Sequence, residues 1–108
     1  KGEDFESVST DEFATLIADP DIQRLDVRTV AEYSEEHIPG SININVLDEQ
    51  FTVIADSTLQ KDKPIALYCR SGKRSKKAAT ILSRKGYKVY DLDKGFIGWK
   101  EAGKETEK

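Results

Sequence analysis

A short apolar run, Ile65 to Tyr68, is the feature that most restricts what this chain can fold into. A strand built from this run is apolar on both faces, and such strands are normally buried in a parallel sheet under helices. The run leads directly into Cys69, the only cysteine, and then into a basic loop that contains Gly72. A helical pattern begins after the loop. The stretch therefore predicts a central strand, a tight loop and the start of a helix.

The segments on either side predict alternating strands and helices. Strands are expected at residues 5–8, 22–27, 41–46 and 87–92, beside the central run at 65–68. Helices are expected after a capping box at Ser9 and Glu12, after a cap at Thr29, within the loosely periodic segment 48–61, between a cap at Ser75 and a stop at Gly86, and from Phe96 through Trp99. This alternation predicts an α/β fold with a small, mainly parallel β-sheet flanked by helices on both faces.

Length and composition indicate a single domain. The chain has 108 residues, of which 37% are hydrophobic and 34% charged, and this length allows one compact domain. We expect the domain to span residues 1–108, with a core at about 5–103 and a charged tail at 104–108. The longest apolar run is too short to span a membrane. No Cys/His cluster has metal-ligand spacing, since His37 is the only histidine and Cys69 the only cysteine. Neither a metal nor another cofactor is predicted.

Positive charge is concentrated around the cysteine. The basic residues among the eight positions that follow Cys69 are Arg70, Lys73, Arg74, Lys76 and Lys77. The chain as a whole carries a net charge of -3, so its field is positive at the loop and mildly negative elsewhere. This distribution favours a small anionic substrate at the loop and disfavours binding of nucleic acid.

Cys69 is the candidate nucleophile. It follows a strand at the point where the N–H groups of a loop and of a helix start converge on an anion. Such a setting favours the thiolate, which is the nucleophilic form of cysteine. The alternative is an inert core cysteine beside a solvated basic loop, and the loop chemistry makes the functional interpretation the better one. Since the chain has no second cysteine, an outside molecule must discharge any adduct on Cys69.

A second group of polar residues follows the strand expected at 22–27. It consists of Asp26, Arg28, Glu32 and His37. These residue types occur in acid–base catalysis, but charged groups near strand ends commonly pair with one another, and we assign them a structural role. His37 precedes Pro39 and Gly40, which indicates a residue that braces a turn by hydrogen bonding. Trp99, on an apolar helical face, is expected to anchor the core.

Three runs of residues stand in order along the chain. They are Leu25-Asp26-Val27-Arg28 with Glu32-Tyr33 and His37-Ile38-Pro39-Gly40-Ser41-Ile42-Asn43-Ile44; the loop Cys69-Arg70-Ser71-Gly72-Lys73-Arg74-Ser75; and Gly86-Tyr87-Lys88-Val89-Tyr90-Asp91-Leu92 with Gly95-Phe96 and Gly98-Trp99. Together these runs resemble the single-domain rhodanese family of sulfurtransferases. The resemblance covers nearly the whole chain. Departures are small: Glu36 and Lys94 stand where the family usually or often has Gly, which affects local turn geometry only.

The resemblance implies a rhodanese-like fold and a sulfur-transfer reaction. Cys69 would take a sulfane sulfur from thiosulfate or a persulfide donor, form a persulfide, and pass the sulfur to cyanide or to a small or protein thiol. The loop would bind the anionic donor through Arg70, Ser71, Gly72, Lys73, Arg74 and Ser75. The resemblance also implies that Asp26, Arg28 and His37 support the fold and do not act in catalysis.

Two other functions are weighed against this one. Phosphatases and arsenate reductases have a similar loop, with one more residue between its Cys and its Arg. Here four residues separate Cys69 from Arg74, and this shorter loop suits a sulfur atom better than a phosphate. A non-catalytic rhodanese module for protein binding or sulfur signalling is the second alternative, and the retained Cys69 argues against it.

The sequence also gives an expectation about compartment. A lone reduced cysteine suits the cytoplasm. Because the chain lacks a start Met, a periplasmic or exported form stays open.

Overall fold

A five-stranded sheet runs through the computed structural model, which describes residues 5–108. All strand pairs in the sheet are parallel, and the strand order is β1-β5-β4-β2-β3. The strands are β1 (Phe5–Val8), β2 (Gln23–Asp26), β3 (Ile42–Asn43), β4 (Ile65–Tyr68) and β5 (Val89–Leu92). The helices are α1 (Thr10–Ile17), α2 (Val30–Glu35), α3 (Phe51–Thr58), α4 (Lys73–Arg84) and α5 (Gly95–Glu101).

The apolar run predicted as the central strand is β4, and every residue in it is buried. Alternate side chains of β4 enter two separate cores. Ile65 and Leu67 pack with residues of α3 and α4, whereas Ala66 and Tyr68 pack with residues of α1 and α5. Helices therefore cover both faces of a parallel sheet, and the α/β fold predicted from the sequence is confirmed.

Local capping signals set the starts of the first two helices. The Ser9 hydroxyl accepts a hydrogen bond from the Glu12 N–H, and the Glu12 carboxylate accepts one from the Ser9 N–H. Thr29 and Glu32 form the same reciprocal pair at the start of α2. Each pair satisfies two N–H groups that a helix start leaves without partners.

The third strand is shorter than predicted. The sequence predicted residues 41–46, but β3 ends at Asn43. Beyond it, the Asn45 side chain accepts a hydrogen bond from the Leu47 N–H at 2.9 Å, a local turn that competes with strand geometry. The Val46 N–H still bonds the Val27 carbonyl, so the segment stays alongside β2 after the regular ladder ends.

The start of α4 also differs from the prediction. Ser75 was expected to cap this helix, but Gly72 occupies the cap position with a φ of +99° and Ser75 lies buried in the first turn. Glycine adopts this left-handed conformation without steric strain. A Cβ atom on Gly72 would overlap the carbonyl oxygen of Asp93. The helix therefore starts at the point where its main chain lies against the main chain of Asp93.

Residues 104–108, predicted as a charged tail outside the core, lie against the fold. The main chains of His37 and Glu107 exchange hydrogen bonds of 2.8 and 2.9 Å. The indole of Trp99, which is buried in the core as expected, donates to the Glu105 carbonyl at 2.7 Å. Charge content alone does not reveal these contacts, because they depend on backbone groups brought together by the fold.

Gly95 provides a test of the close packing between the start of α5 and the loop after β4. Its φ is +65°, and a Cβ atom there would overlap the main chain of Arg70. Gly86 has a φ of +100° but open space around it, so Gly86→Ala is the matched control. We expect Gly86→Ala to lower the free energy of unfolding by about 1–2 kcal/mol and Gly95→Ala to lower it further. Urea denaturation measures both values. Equal values would contradict close packing at Gly95.

Candidate active site

The sulfur of Cys69 lies inside a loop that follows the carboxyl end of β4. The residue is 1% exposed, and its Sγ accepts a hydrogen bond from the Gly72 N–H at 3.1 Å. The Cys69 carbonyl accepts from the Phe96 N–H at 2.8 Å, and the Arg70 carbonyl from the Ile97 N–H at 3.0 Å. The start of α5 therefore holds the first residues of the loop from one side.

The loop continues directly into α4, which has 12 residues. The first N–H groups of a helix have no partners within it and carry partial positive charge. Because Gly72 is both the cap of α4 and the donor to the sulfur, Cys69 lies at the positive end of the helix. This arrangement stabilises a negative charge on the sulfur or on an atom bound to it.

The side chains of the loop differ in their access to solvent. Arg70, Ser71 and Lys73 are exposed, Arg74 is partly buried, and Gly72 and Ser75 are buried. Among the described residues, the Ser75 hydroxyl has no hydrogen-bond partner. The structure thus brings together all six loop residues that the sequence proposed for substrate binding, but only Arg70, Ser71 and Lys73 are fully exposed.

Arg74 is engaged by a carboxylate of α2. Its two terminal nitrogens donate to the two oxygens of Glu32 at 2.8 and 2.9 Å. The hydrogen bond from Arg74 lowers the pKa of Glu32 to about 2, and the same contact raises the pKa of Arg74. Glu32, proposed from the sequence as structural support, therefore contacts the loop directly and fixes its last arginine to α2.

Asp26 and Arg28 form a buried ion pair at the end of β2. The Arg28 guanidinium donates to Asp26 at 2.7 Å and to the Glu36 carbonyl at 2.8 Å. It also lies over the Phe96 ring, 4.4 Å from its centroid. Burial disfavours the charged guanidinium, but the contact with Asp26 outweighs that effect and raises the pKa of Arg28. The pair joins β2, α2 and α5 beside the loop.

His37 contacts neighbouring turns. Its Nδ1 lies 2.8 Å from the Tyr33 carbonyl, its ring stacks on the Tyr33 ring at 3.8 Å, and its Nε2 lies 3.2 Å from the Glu107 carboxylate. The same carboxylate accepts from the Gly40 N–H at 3.1 Å. These contacts tie the 37–40 turn to α2 and to the C-terminal segment.

One cluster of charged residues near the loop was not predicted from the sequence. Lys76, counted there with the basic residues, donates to Asp91 at 3.0 Å and to Asp93 at 2.9 Å. Burial opposes its charge, but these carboxylates raise its pKa. Asp91 is fully buried and also accepts from Ser7. Asp91 in an otherwise apolar strand was the available signal, since a buried carboxylate normally has a cationic partner.

A groove of about 490 Å³ flanks the loop at Arg70. It is lined by Arg28, Glu32, Glu35, Glu36, Arg70, Phe96, Ile97, Lys100 and Lys108. The groove is large enough for a small ligand, and side chains of both charge signs surround it.

Two further findings concern the described residues 5–108. They contain no group of three or more His, Cys, Asp or Glu side chains placed to hold a metal ion. No helix among them combines the length and apolar character needed to cross a bilayer.

The fold and the loop define a class of protein: an α/β domain that holds one cysteine in a short loop at a helix start. The family model described as the rhodanese-like domain matches residues 9–102. The chain belongs to that family, as its sequence motifs predicted.

Relatives of known name agree with this assignment. A sulfurtransferase of Allochromatium vinosum is 32% identical over 98 residues, which cover 89% of each chain. The thiosulfate sulfurtransferase GlpE of Coxiella burnetii is 34% identical over 98 residues, covering 89% of this chain and 88% of that one. The crystal structure of a rhodanese-related protein from Thermoplasma volcanium matches with a TM-score of 0.80 and 30% identity, over 95% of this chain and 98% of that one.

The ion pair between Glu32 and Arg74 predicts an acid-sensitive contribution to stability. The pKa of Glu32 is about 2 in the folded protein and ordinarily 4.5. A lowered folded-state pKa means that the contribution is complete above about pH 4.5 and is lost as the pH falls toward 2. We expect Glu32→Gln to destabilise by about 1 kcal/mol near neutral pH, with the difference from wild type shrinking across that acid range.

Urea denaturation as a function of pH measures this difference. Arg74→Gln supplies the control, because Glu32→Gln made in that background should show little of the acid-dependent change. A difference between wild type and Glu32→Gln that stays constant down to pH 2 would contradict the assignment.

Proposed function

We propose that this protein is a sulfurtransferase that carries a sulfane sulfur on Cys69 from thiosulfate or a persulfide donor to a thiophilic acceptor. The observation that carries the proposal is the 3.1 Å hydrogen bond from the Gly72 N–H to the Cys69 sulfur at the start of α4. A sulfur that already accepts a main-chain donor beside a helix start is placed to carry negative charge. Membership of a family with relatives named sulfurtransferase supports the same reaction class.

The reaction proceeds in two displacement steps. The Cys69 thiolate attacks the outer sulfur of thiosulfate and forms a new S–S bond. The S–S bond of thiosulfate breaks, its electron pair leaves with sulfite, and Cys69 becomes a persulfide anion. In the second step cyanide or a thiolate attacks the outer sulfur, and Cys69 leaves as the thiolate. Neither step needs an outside oxidant or reductant.

The loop backbone is the proposed binding site for the transferred sulfur. The Gly72 N–H already donates to the Cys69 sulfur, and we propose that further N–H groups of residues 70–75 donate to the transferred sulfur. A donor aimed at a developing negative charge contributes about 3 kcal/mol in comparable sites. Arg70 and Lys73, both exposed, attract the anionic donor and stabilise the departing sulfite. Ser71 and Gly72 contribute backbone donors.

Arg74 has a narrower role than the sequence suggested. Because Glu32 binds it through two hydrogen bonds, Arg74 holds the loop in position and adds only part of its charge to the field. A guanidinium engaged in this way is also not free to clamp phosphoryl oxygens, which disfavours the phosphatase alternative. We assign Asp26, Arg28, Glu32 and His37 to support of the loop and its surroundings. A reducing compartment such as the cytoplasm suits a catalytic thiol and is the compartment we propose.

The persulfide cycle predicts that the mass of the protein changes when sulfur is added to Cys69. After incubation with thiosulfate, intact-protein mass spectrometry should show a gain of one sulfur atom, and cyanide should remove it. Cys69→Ser should show no gain while unfolding at a urea concentration close to that of wild type, because the substitution changes a single buried atom. A wild-type mass that stays unchanged with thiosulfate and with persulfide donors, while Cys69 is alkylated normally, would contradict the proposal.

The buried hydroxyl of Ser75 predicts opposite effects on stability and on reaction rate. A buried hydroxyl without a partner is destabilising by about 1–3 kcal/mol, so Ser75→Ala should unfold at the same or a higher urea concentration than wild type. If the hydroxyl donates to the transferred sulfur, the same variant should form the persulfide more slowly, by up to about 100-fold.

Rapid mixing with thiosulfate followed by mass spectrometry gives the rate for this comparison. Ser83→Ala is the matched control, since Ser83 lies on the last turns of α4 and bonds the Thr80 carbonyl. A less stable Ser75→Ala that reacts at the wild-type rate would show that the hydroxyl serves the fold alone.

A further inference from the structure

Lys76, in the first turn of α4, has an acceptor for each N–H of its ammonium. It donates to the Gly72 carbonyl at 3.3 Å, to Asp91 at 3.0 Å and to Asp93 at 2.9 Å. An ammonium has three N–H donors and no acceptor, so these contacts satisfy it completely. The ammonium therefore joins the cap of α4 to the end of β5 and to the turn that follows β5.

The two carboxylates that hold this ammonium are themselves fixed in place. Asp91 is fully buried in β5 and accepts a hydrogen bond from the Ser7 hydroxyl at 2.8 Å. The Asp93 N–H donates to the Val8 carbonyl at 3.0 Å. Lys76 thus binds the carbonyl of the helix cap from a position that β1 and β5 hold fixed.

The charge of Lys76 is offset by these neighbours. Two carboxylates face one ammonium, so the cluster of Lys76, Asp91 and Asp93 carries no net positive charge. An anion at the loop therefore gains little attraction from the cluster as a whole. What Lys76 offers the site is its contact with the main chain.

The carbonyl that Lys76 binds determines the direction of the next N–H group. Gly72 has a ψ of -5°, which places the Lys73 nitrogen on the same side of the Gly72 Cα as the Gly72 nitrogen and turns the carbonyl oxygen to the opposite side. The Gly72 N–H donates to the Cys69 sulfur at 3.1 Å, and successive N–H groups in such turns form a concave site for an anion. Rotation about ψ would turn the Lys73 N–H away, and glycine resists such rotation less than other residues do.

We propose that Lys76 is a positioning residue of the active site, which holds the Gly72 carbonyl so that the N–H groups of Gly72 and Lys73 both face the sulfur of Cys69. Lys76 acts through Gly72 and not by contact with the transferred sulfur. The inference rests on the proposed function, because the negative charge that these two donors stabilise is the charge of the sulfur that is transferred.

The alternative is that Lys76 serves only to neutralise the buried Asp91. Lys76→Met alone does not separate the two roles, because it leaves a buried carboxylate without its cation, which is strongly destabilising. Lys76→Met combined with Asp91→Asn does separate them. This double variant removes both charges, so the net charge of the cluster is unchanged, and the Asn side chain still accepts from Ser7. A buried ion pair replaced by neutral residues of similar size often leaves stability close to that of wild type.

The rate of persulfide formation at saturating thiosulfate tests the positioning role. The double variant should unfold at a urea concentration close to that of wild type. It should form the Cys69 persulfide about tenfold more slowly, a smaller effect than the roughly 100-fold loss that follows deletion of a donor. The dependence of the rate on thiosulfate concentration should stay the same, because the exposed cations of the loop are unchanged. A double variant that reacts at the wild-type rate would show that Lys76 serves the fold alone.

A matched control lies at the other end of α4. Lys85 at the end of the helix pairs with Asp56 at 3.0 Å, and both side chains are partly exposed. Lys85→Met combined with Asp56→Asn removes one cation and one carboxylate, as the first double variant does. It should form the persulfide at the wild-type rate. An equal slowing in both double variants would trace the effect to the loss of an ion pair in general and would overturn the inference.

Amide resonances test the direction of the Lys73 N–H without any sulfur transfer. As the pH rises and the Cys69 thiol ionises, the amide shifts of Gly72 and Lys73 should both move in the wild-type protein. In the double variant of Lys76 and Asp91, the Lys73 shift should move less than it does in wild type.

Cys69→Ser is the control for this titration, because it lacks the thiol. It keeps the charged groups that the neighbouring strands and helices place around the loop, which are Asp26, Arg28, Glu32, Arg74, Lys76 and Asp91. A Lys73 amide that moves no further in wild type than in Cys69→Ser would overturn the inference, whether or not the double variant folds.

Failure of this inference and failure of the proposed function give different results. If the wild type and the double variant form the persulfide equally fast, the sulfurtransferase proposal stands and the role of Lys76 is lost. If the Lys73 amide follows the thiol in wild type more than in the double variant but no persulfide ever forms, the positioning role stands and the reaction is lost.

Discussion

Contact between two main-chain turns is the constraint on which the site depends. The loop after β4 approaches the main chain of Asp93 at Gly72, and the start of α5 approaches the main chain of Arg70 at Gly95. The hydrogen bonds from Phe96 and Ile97 to the first two loop carbonyls complete this contact. Because a Cβ atom at either glycine would overlap backbone, the loop keeps its shape only while both positions lack side chains. The position of the Cys69 sulfur follows from that shape.

Charge pairing decides which residues around the sulfur are available to a ligand. The chain is rich in charge, yet Arg28, Arg74 and Lys76 are each engaged by carboxylates. These pairs hold β2, α2, α4 and β5 around the loop. Within residues 5–108, Arg70, Lys73 and Lys77 form no ion pair and are left to give the loop its positive field. This field is smaller than the count of basic residues in the sequence suggests.

Signals that act over a few residues allowed much of the fold to be predicted. The apolar run at β4 and the capping box of Ser9 and Glu12 are complete within short segments. The placement of Cys69 at a strand end followed from the same run. The Ser75 cap was wrong because Ser is a common capping residue, while the tertiary contact with Asp93 that requires Gly72 cannot be seen in the sequence.

Contacts between distant parts of the chain could not be predicted in this way. Glu32 and Arg74 are 42 positions apart, and His37 and Glu107 are 70 apart. No local pattern reports such pairs, because only the finished fold brings them together. For that reason the sequence identified the residue types around Cys69 but not which of their charges are neutralised.

The strand order has a consequence for synthesis of the chain. Ser7 in β1 and Asp91 in β5 are joined by a side-chain hydrogen bond across 84 positions. Among the strands of residues 5–108, β1 pairs only with β5. The first strand therefore has no sheet partner until nearly the whole domain has left the ribosome. Pairing across such distances also makes folding slow. The loop of Cys69 needs α5 as well, so the nascent chain carries its thiol unprotected until the last helix emerges.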